Sequence, residues 1–527
     1  MAKKEKGIFV EIVLIVILLA AVAVSAAYVR NKAIRAESGD ILKDAKLVLY
    51  EGPKSLKDAT DEDMKAASEY QGDISLKHSV NTQVKVNGYD CYVYETMVNN
   101  SREWNPYYAP LLSRTPVAYF DFEKAAVIEV AVKDTEIDSV KISPLKYGIE
   151  AEIDKEKNAV AFTITQPDAY TVTFNGSPER AVHIFAYPIQ EEIPSENDGS
   201  VIYIGPGEWN IESIMMEDGQ TLYLAGGAVV HSIVNGNYVK NIKIMGRGII
   251  DGSHYKGWQG RTAYIPLKFD HCENVEIRDV IVLNPNAWAC QAFDSVNGVV
   301  DGVKIITARP NGDGITLQSC RNYEVRNCFV RSWDDSLVVK NYSENSKNIT
   351  FKNNQLWTDF AQSMEIGYET NKGNKENSSI TDIRFENITV LNNFHKPVIS
   401  VHNGDDAMVS GITFRDVTVE NAQMGSGDGA GMPYLIDLHV AQSANWSTTK
   451  ERGRIKDVLI GNVRVLSGKK CPSRIKGFDA EHNIENVTIR NLEILGTKIG
   501  DLDEGGFEID PASTKNIVIE QTEGGIN

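Results

Sequence analysis

Basic residues are in short supply in this chain: 54 Lys and Arg stand against 72 Asp and Glu over 527 residues, a formal net charge of -18. Such a surface repels nucleic acid and anionic membranes and favours solubility. A polyanionic substrate such as a uronic-acid polymer would need a local basic site. Cysteine is also scarce. The six, at positions 91, 272, 290, 320, 328 and 471, show no C-x-x-C spacing, which excludes a disulfide scaffold and a zinc site. Single buried thiols are expected, with a Cys320 to Cys328 bridge as the exception, and no metal or cofactor is called for. Oligomeric state is not legible.

Long apolar runs are absent but for one. Ile8 to Val29 is apolar except for Glu11 and Ser25 and follows Lys3, Lys4 and Lys6. This reads as an export signal within residues 1–36, either a signal peptide with Val24-Ser25-Ala26 as processing site or an uncleaved membrane anchor. The run exceeds the roughly 7 to 15 residues usual for a signal peptide, which favours the anchor. Either reading places the bulk of the protein outside the cytoplasm.

Residues 37–78 are polar and weakly patterned, the composition of a linker. From 79 to 190 the chain is rich in β-formers, in runs such as Ala126-Val127-Ile128-Glu129-Val130-Ala131-Val132 and Tyr170-Thr171-Val172-Thr173-Phe174. Turns at Asp154-Lys155-Glu156-Lys157 and Asn175-Gly176 separate several of them, predicting an antiparallel β-sandwich. The turn-rich stretch Glu191 to Gly199 marks the boundary of a second domain, 191–527.

That domain repeats. A short strand opening on Asn, Asp or Gly recurs at Asn241, Asn274, Asn322, Asn348, Asp382, Gly411, Asp457, Asn486 and Asn516, and a degenerate coil at Gly298 fills the gap after Asn274. From Asn274 to Gly298 and on to Asn322 each step is 24 residues, and the next, to Asn348, is 26. A coil that rises one strand spacing, about 4.8 Å, and stacks like residues on like has this period. The reading is an all-β chain: a right-handed parallel β-helix preceded by the sandwich. A propeller blade needs about 40 to 50 residues, and the Leu-x-x-Leu-x-Leu signature of leucine-rich repeats is missing. The insertion Ala422 to Thr449 would rise as a wall at one end of a cleft, which hints at action from a chain end.

Three acids stand in polar, Gly-bearing contexts on successive coils, in Asn311-Gly312-Asp313-Gly314 and Ser332-Trp333-Asp334-Asp335-Ser336. Asp334 follows Asp313 by 21 residues, close to one coil, so the three carboxylates fall on adjacent rungs. Crowded carboxylates cannot all ionise, which leaves a proton donor beside bases. An inverting glycosidase needs that pairing, with acid and base about 6.5 to 9.5 Å apart. Adjacent strand residues face opposite ways, so Asp334 and Asp335 reach one cleft only if the backbone bends there. Trp288 and Trp333 are candidates to stack on a sugar ring.

Residues 220–500 resemble the polygalacturonase family of glycoside hydrolases, family 28. The resemblance runs through Gly246-Arg247-Gly248-Ile249-Ile250-Asp251-Gly252, Asn284-Pro285-Asn286-Ala287-Trp288, Asn311-Gly312-Asp313-Gly314-Ile315 and the Asp334-Asp335 pair, in family order. It implies Asp334 as general acid, Asp313 and Asp335 as holders of the attacking water, and a polysaccharide, most simply a pectic one, as substrate. Two departures stand out. The family's Gly-His-Gly corresponds to Ala361-Gln362-Ser363, putting Gln362 where a histidine is expected, and its Arg-Ile-Lys aligns with Val398-Ile399-Ser400. A literal Arg474-Ile475-Lys476 lies 140 residues after Asp334, several coils too far to serve. Lys340 and Lys396 are the remaining cations for a charged subsite, each readable also as a solvated lysine. Glu365, Tyr368, Glu369 and His402 are further substrate-binding candidates, with His395 beside them.

A sandwich ahead of the helix and an Asp cluster without the basic motif are also similar to the dextranase and isopullulanase family, family 49, which acts on neutral α-glucans. Two other classes compete. A pectate lyase would use Asp313, Asp334, Asp335 and Glu365 as a calcium cage. A non-catalytic glycan-binding helix would use Trp288, Trp333, Trp357 and Tyr368 as aromatic stripes.

Overall fold

The computed structural model describes residues 42, 45–68, 71–99, 111–257, 263–423 and 433–522. The apolar segment Ile8 to Val29 lies outside them. Among the described residues no helix is long and apolar enough to cross a membrane.

The N-terminal unit is two sheets around one core. One runs Val93–Val98, Leu111–Phe122, Ser177–Pro188, Asp168–Phe174, Val140–Ser143, and the other Glu152–Asp154, Ala159–Ile164, Ala126–Val132, Thr82–Val86, Tyr89–Cys91. Alternation explains the packing: along Ala126–Val132 every second residue is buried, so Ala126, Ile128, Val130 and Val132 meet Phe120, Phe122, Val172 and Ile184 of the facing sheet. The two hairpins expected at Asp154 to Lys157 and Asn175-Gly176 form. The sheets are not purely antiparallel, because Ser177–Pro188 runs parallel to Leu111–Phe122. Nor is 37–78 simply a linker. Leu47–Leu49 pairs antiparallel with Phe122 to Phe120, and Ala59, Leu76 and Lys77 are buried. The short runs carry too few apolar residues to read as strands, and pairing with Leu111–Phe122 and Val93–Val98 fixes them.

From Val201–Ile204 onward the chain winds into a parallel β-helix with an 11-stranded and a 20-stranded sheet. The repeat predicts its register. Ile242, Val275, Gly298, Tyr323, Ile349, Ile383, Ile412, Val458, Val487 and Ile517 stack as successive partners in one column. In the degenerate coil the turn residue is Asn297, with φ 58, one position earlier than the repeat reading placed it. Gly298 occupies the apolar slot because any side chain there would collide with the Tyr323 ring of the next coil. Beside this column the Asn side chains form a ladder in left-handed backbone: Asn274 donates to Asn241 at 2.8 Å, Asn322 to Asn297 at 3.0 Å and Asn348 to Asn322 at 2.9 Å. Asn tolerates positive φ and carries both donor and acceptor, so each rung satisfies the next. All six cysteines are buried free thiols, which removes the Cys320 to Cys328 bridge.

The sandwich packs against the 20-stranded sheet, where Tyr119, Phe185 and Tyr187 meet Val229, Ile281, Leu283 and Phe329. Buried polar bonds fix the join: Arg247 to Asp121 at 2.8 Å, and Thr96 and Met97 donating to Asn284 at 2.9 Å. Trp357 belongs to this interface and is buried against His183 and Arg331, so it is packing and not a sugar platform.

Candidate active site

On the 11-stranded sheet Cys290, Ile315, Leu337, Met364, Ile399 and Ile436 are successive partners and point into the core. Period 2 therefore turns the neighbours Gln291, Thr316, Val338, Glu365, Ser400 and Asp437 outward, and Lys340, His402 and His439 with them. Two residues ahead of their strands, Asp313 and Asp335 fall into one column with Gln362 and with Trp288. Backbone bonds hold it: Ala289 N–H to Asp313 C=O at 2.9 Å, Gly314 N–H to Asp335 C=O at 2.8 Å, Ser336 N–H to Gln362 C=O at 2.9 Å. Gly314 lets the rungs close, since a Cβ there would strike Val330 and the Ser336 carbonyl.

The expected bend is present: Asp334 and Asp335 lie between the strands Phe329–Ser332 and Leu337–Lys340. Asp334 N–H donates to Gly312 C=O at 3.2 Å, and the Asp335 carboxylate accepts the Gln362 N–H at 2.9 Å. Gln362 thus contributes its backbone to the site. Lys340 is not a solvated lysine. It is buried, 3.2 Å from Glu369 and 3.9 Å from Asp313, and despite burial those carboxylates hold its ammonium well above the usual range.

The electrostatics match a proton-sharing cluster. Burial and Asp334 push Asp313 well above the carboxylate range. Burial, Asp334 and Glu365 push Asp335 up to about 8. Burial also raises Asp334, opposed by Lys396 and Lys340. In the free protein the upward push is thus not confined to Asp334. The sign for stability follows. A carboxyl raised on folding binds its proton more tightly in the native state, so Asp335 favours folding least once pH has risen from about 3.8 through about 8. Asp335→Asn removes that penalty. Its melting temperature relative to the parent should rise between pH 4 and pH 9 in a calorimetric scan, and a difference independent of pH would show that Asp335 is solvated.

One coil on, His402 Nε2 lies 2.9 Å from Asp437 and Nδ1 2.9 Å from Glu365, which also accepts the Ser400 hydroxyl. Arg474 donates to both oxygens of Asp437, at 2.8 and 2.7 Å. Tyr368 lies flat on the His402 ring, centroids 4.3 Å apart and planes 7° from parallel. Burial opposes a charge on His402, but Glu365 and Asp437 push its pKa up to about 10.

Two readings from sequence change here. Trp333 is turned inward, buried and stacked on Phe360 with centroids 4.3 Å apart, because the bend that exposes Asp334 rotates it under the coil. The outward pair on the strand Ile399–Asn403 is Ser400 and His402, with Ile399 and Val401 in the core. Arg474 is no stray motif, since it stands on the same outward face, directly paired with Asp437. Asp437 was missed although Ile436-Asp437-Leu438 shows the alternation that turns an acid outward, because it lies within the stretch Ala422 to Thr449 read as an insertion, where Ile436–Val440 is in fact a strand of the 11-stranded sheet.

A stacked coil of parallel strands with a crowded carboxylate cluster on its outer face defines a parallel β-helix with a candidate acid–base site. Residues 218–503 match the model for glycosyl hydrolases family 28, and the chain belongs to that family. It is similar to a polygalacturonase of Juniperus ashei, 24% identical over 59% of this chain and 58% of that protein. It is 23% identical to a probable polygalacturonase of Vitis vinifera over 42% of this chain and 54% of that one. The chain thus spans little more than half the length of these relatives. Among solved structures, Dex49A from Penicillium minioluteum shares the fold with a TM-score of 0.65, 14% identity and coverage of 90% of this chain and 98% of that one.

Proposed function

We propose that this protein hydrolyses O-glycosidic bonds of a polysaccharide with inversion at the anomeric carbon. Asp334 protonates the leaving oxygen, and Asp313 and Asp335 hold the attacking water. The observation that carries the reading is the crowding of three carboxylates around Lys340 on adjoining rungs, which keeps a proton in the cluster at neutral pH. Trp288, Tyr368 and Glu369 border the cluster as substrate-binding groups. The similarity to plant polygalacturonases makes a pectic polymer the first substrate to try, and the apolar segment Ile8 to Val29 favours action outside the cytoplasm.

Two measurements test this. Reducing ends should appear when the protein is incubated with one or more pectic or α-glucan polysaccharides. Ultraviolet-absorbing products lost on chelation would instead establish a lyase, and binding without cleavage a glycan-binding protein. Proton NMR in the first minutes should show the anomer opposite to the substrate's. Retention would require a carboxylate nucleophile at about 5 to 5.5 Å and would overturn the roles given to Asp313 and Asp335.

A further inference from the structure

We propose that the subsite next to the acid cluster, built on Glu365, His402, Asp437, Arg474 and Tyr368, receives an uncharged sugar residue, either a neutral hexose or a uronate whose carboxyl is esterified. The inference rests on the hydrolase reading and names the substrate class of that same cleft.

The geometry makes the case by pairing. Both nitrogens of His402 face carboxylate oxygens, Glu365 at 2.9 Å and Asp437 at 2.9 Å, so the ring carries both protons. Arg474 spends its fork on Asp437 in two bonds, and its guanidinium lies 4.6 Å over the Tyr434 ring. Two cations and two carboxylates close on one another and the array sums to zero. Glu365, His402, Asp437 and Arg474 are 0%, 1%, 2% and 9% exposed, so a sugar meets little of either cation while the pairs hold. A uronate placed here would meet carboxylates already paired, while the exposed cation of this face, Lys476, stands beyond the array beside His439, so the uronate would lose hydration unrepaid.

The neighbouring bases do not change this. Lys340 is engaged by Glu369 and Asp313, and Lys396 acts electrostatically on Asp334, on the acid side. His439, the next outward position after His402, is pushed down to about 3 by burial and by Arg474, and so carries no charge. Within the array itself what remains accessible is Tyr368, half-buried, its ring laid flat on the imidazolium. A flat ring held over a fixed cation is a platform for the C–H face of a sugar.

The test measures binding in the full chain carrying Asp334→Asn, so that turnover plays no part. Trigalacturonate and its methyl ester are titrated calorimetrically into this protein and into the same protein with Asp437→Asn or, as a second variant, Glu365→Gln. The ester should bind at least about tenfold more tightly than the free acid. Removing one carboxylate should uncover positive charge and shift the preference toward the acid by about tenfold or more. Preference for the free acid, a ratio unmoved in both variants, or no binding of trigalacturonate, its ester or neutral maltotriose to any of the proteins would overturn the proposal. Failure of the unmodified chain to release reducing ends would count against the hydrolase reading alone, because the binding ratio does not depend on turnover.

Discussion

Asp334→Asn should lower turnover by about a hundredfold to ten-thousandfold while leaving the fold intact, because a positioned general acid contributes that much to the rate. The side chain sits in a bend, half-buried, and accepts the backbone N–H of Asp335 at 3.1 Å, a bond that an amide oxygen can also accept. Melting temperature should therefore stay near the parent's. Initial rates of reducing-end release on the best substrate provide the readout. Activity within a few-fold of the parent would remove Asp334 from the mechanism. Asp313→Asn and Asp335→Asn should be comparably slow, but partly rescued by azide, since a small anion can replace the base that activates water and cannot replace the proton donor.

His402→Leu should cost about 3 to 5 kcal/mol of stability, the usual consequence of removing one partner from a buried ion pair. The imidazolium is shared by Glu365 and Asp437, both buried, and the two lose unequally. Asp437 keeps both bonds from Arg474, whereas among the described residues Glu365 keeps only the Ser400 hydroxyl. The cost therefore falls mainly on Glu365. Adding Glu365→Gln to His402→Leu should recover a large part of it, a coupling that a double-mutant cycle in denaturant measures directly. A loss below about 1 kcal/mol would mean that water reaches the array, which would also weaken the case for an uncharged subsite.

Much of the architecture could be read along the chain because coil repeats are local. Each strand must open on a residue that accepts left-handed backbone, then alternate core and surface, and Asn274-Val275-Glu276-Ile277 does both within four residues. The same locality made the spacing from Asp313 to Asp334 informative, since one coil later means one rung higher. Reading failed where a side chain's fate depends on partners distant in sequence. Trp333 beside the two half-buried acids looks like a sugar platform, yet Phe360, a coil away, draws it inward. Lys340 looks solvated until Glu369 closes on it. Leu47–Leu49 looks like linker until Leu111–Phe122 offers an open edge.

By itself, then, the sequence determined the β-helix, its register and the crowding of Asp313, Asp334 and Asp335, because all of these follow from periodicity over one or two coils. Only the tertiary structure decided how the cleft beyond them is charged. The paired positions Glu365, Ser400, Asp437 and Arg474 lie 35, 37 and 37 residues apart along the chain, well beyond the 24-residue step of the earlier coils, so counting at that step misses them, and parallel strand pairing alone sets them, with His402, side by side. Burial then forces each charge to find its opposite, turning four ionisable residues into a neutral wall.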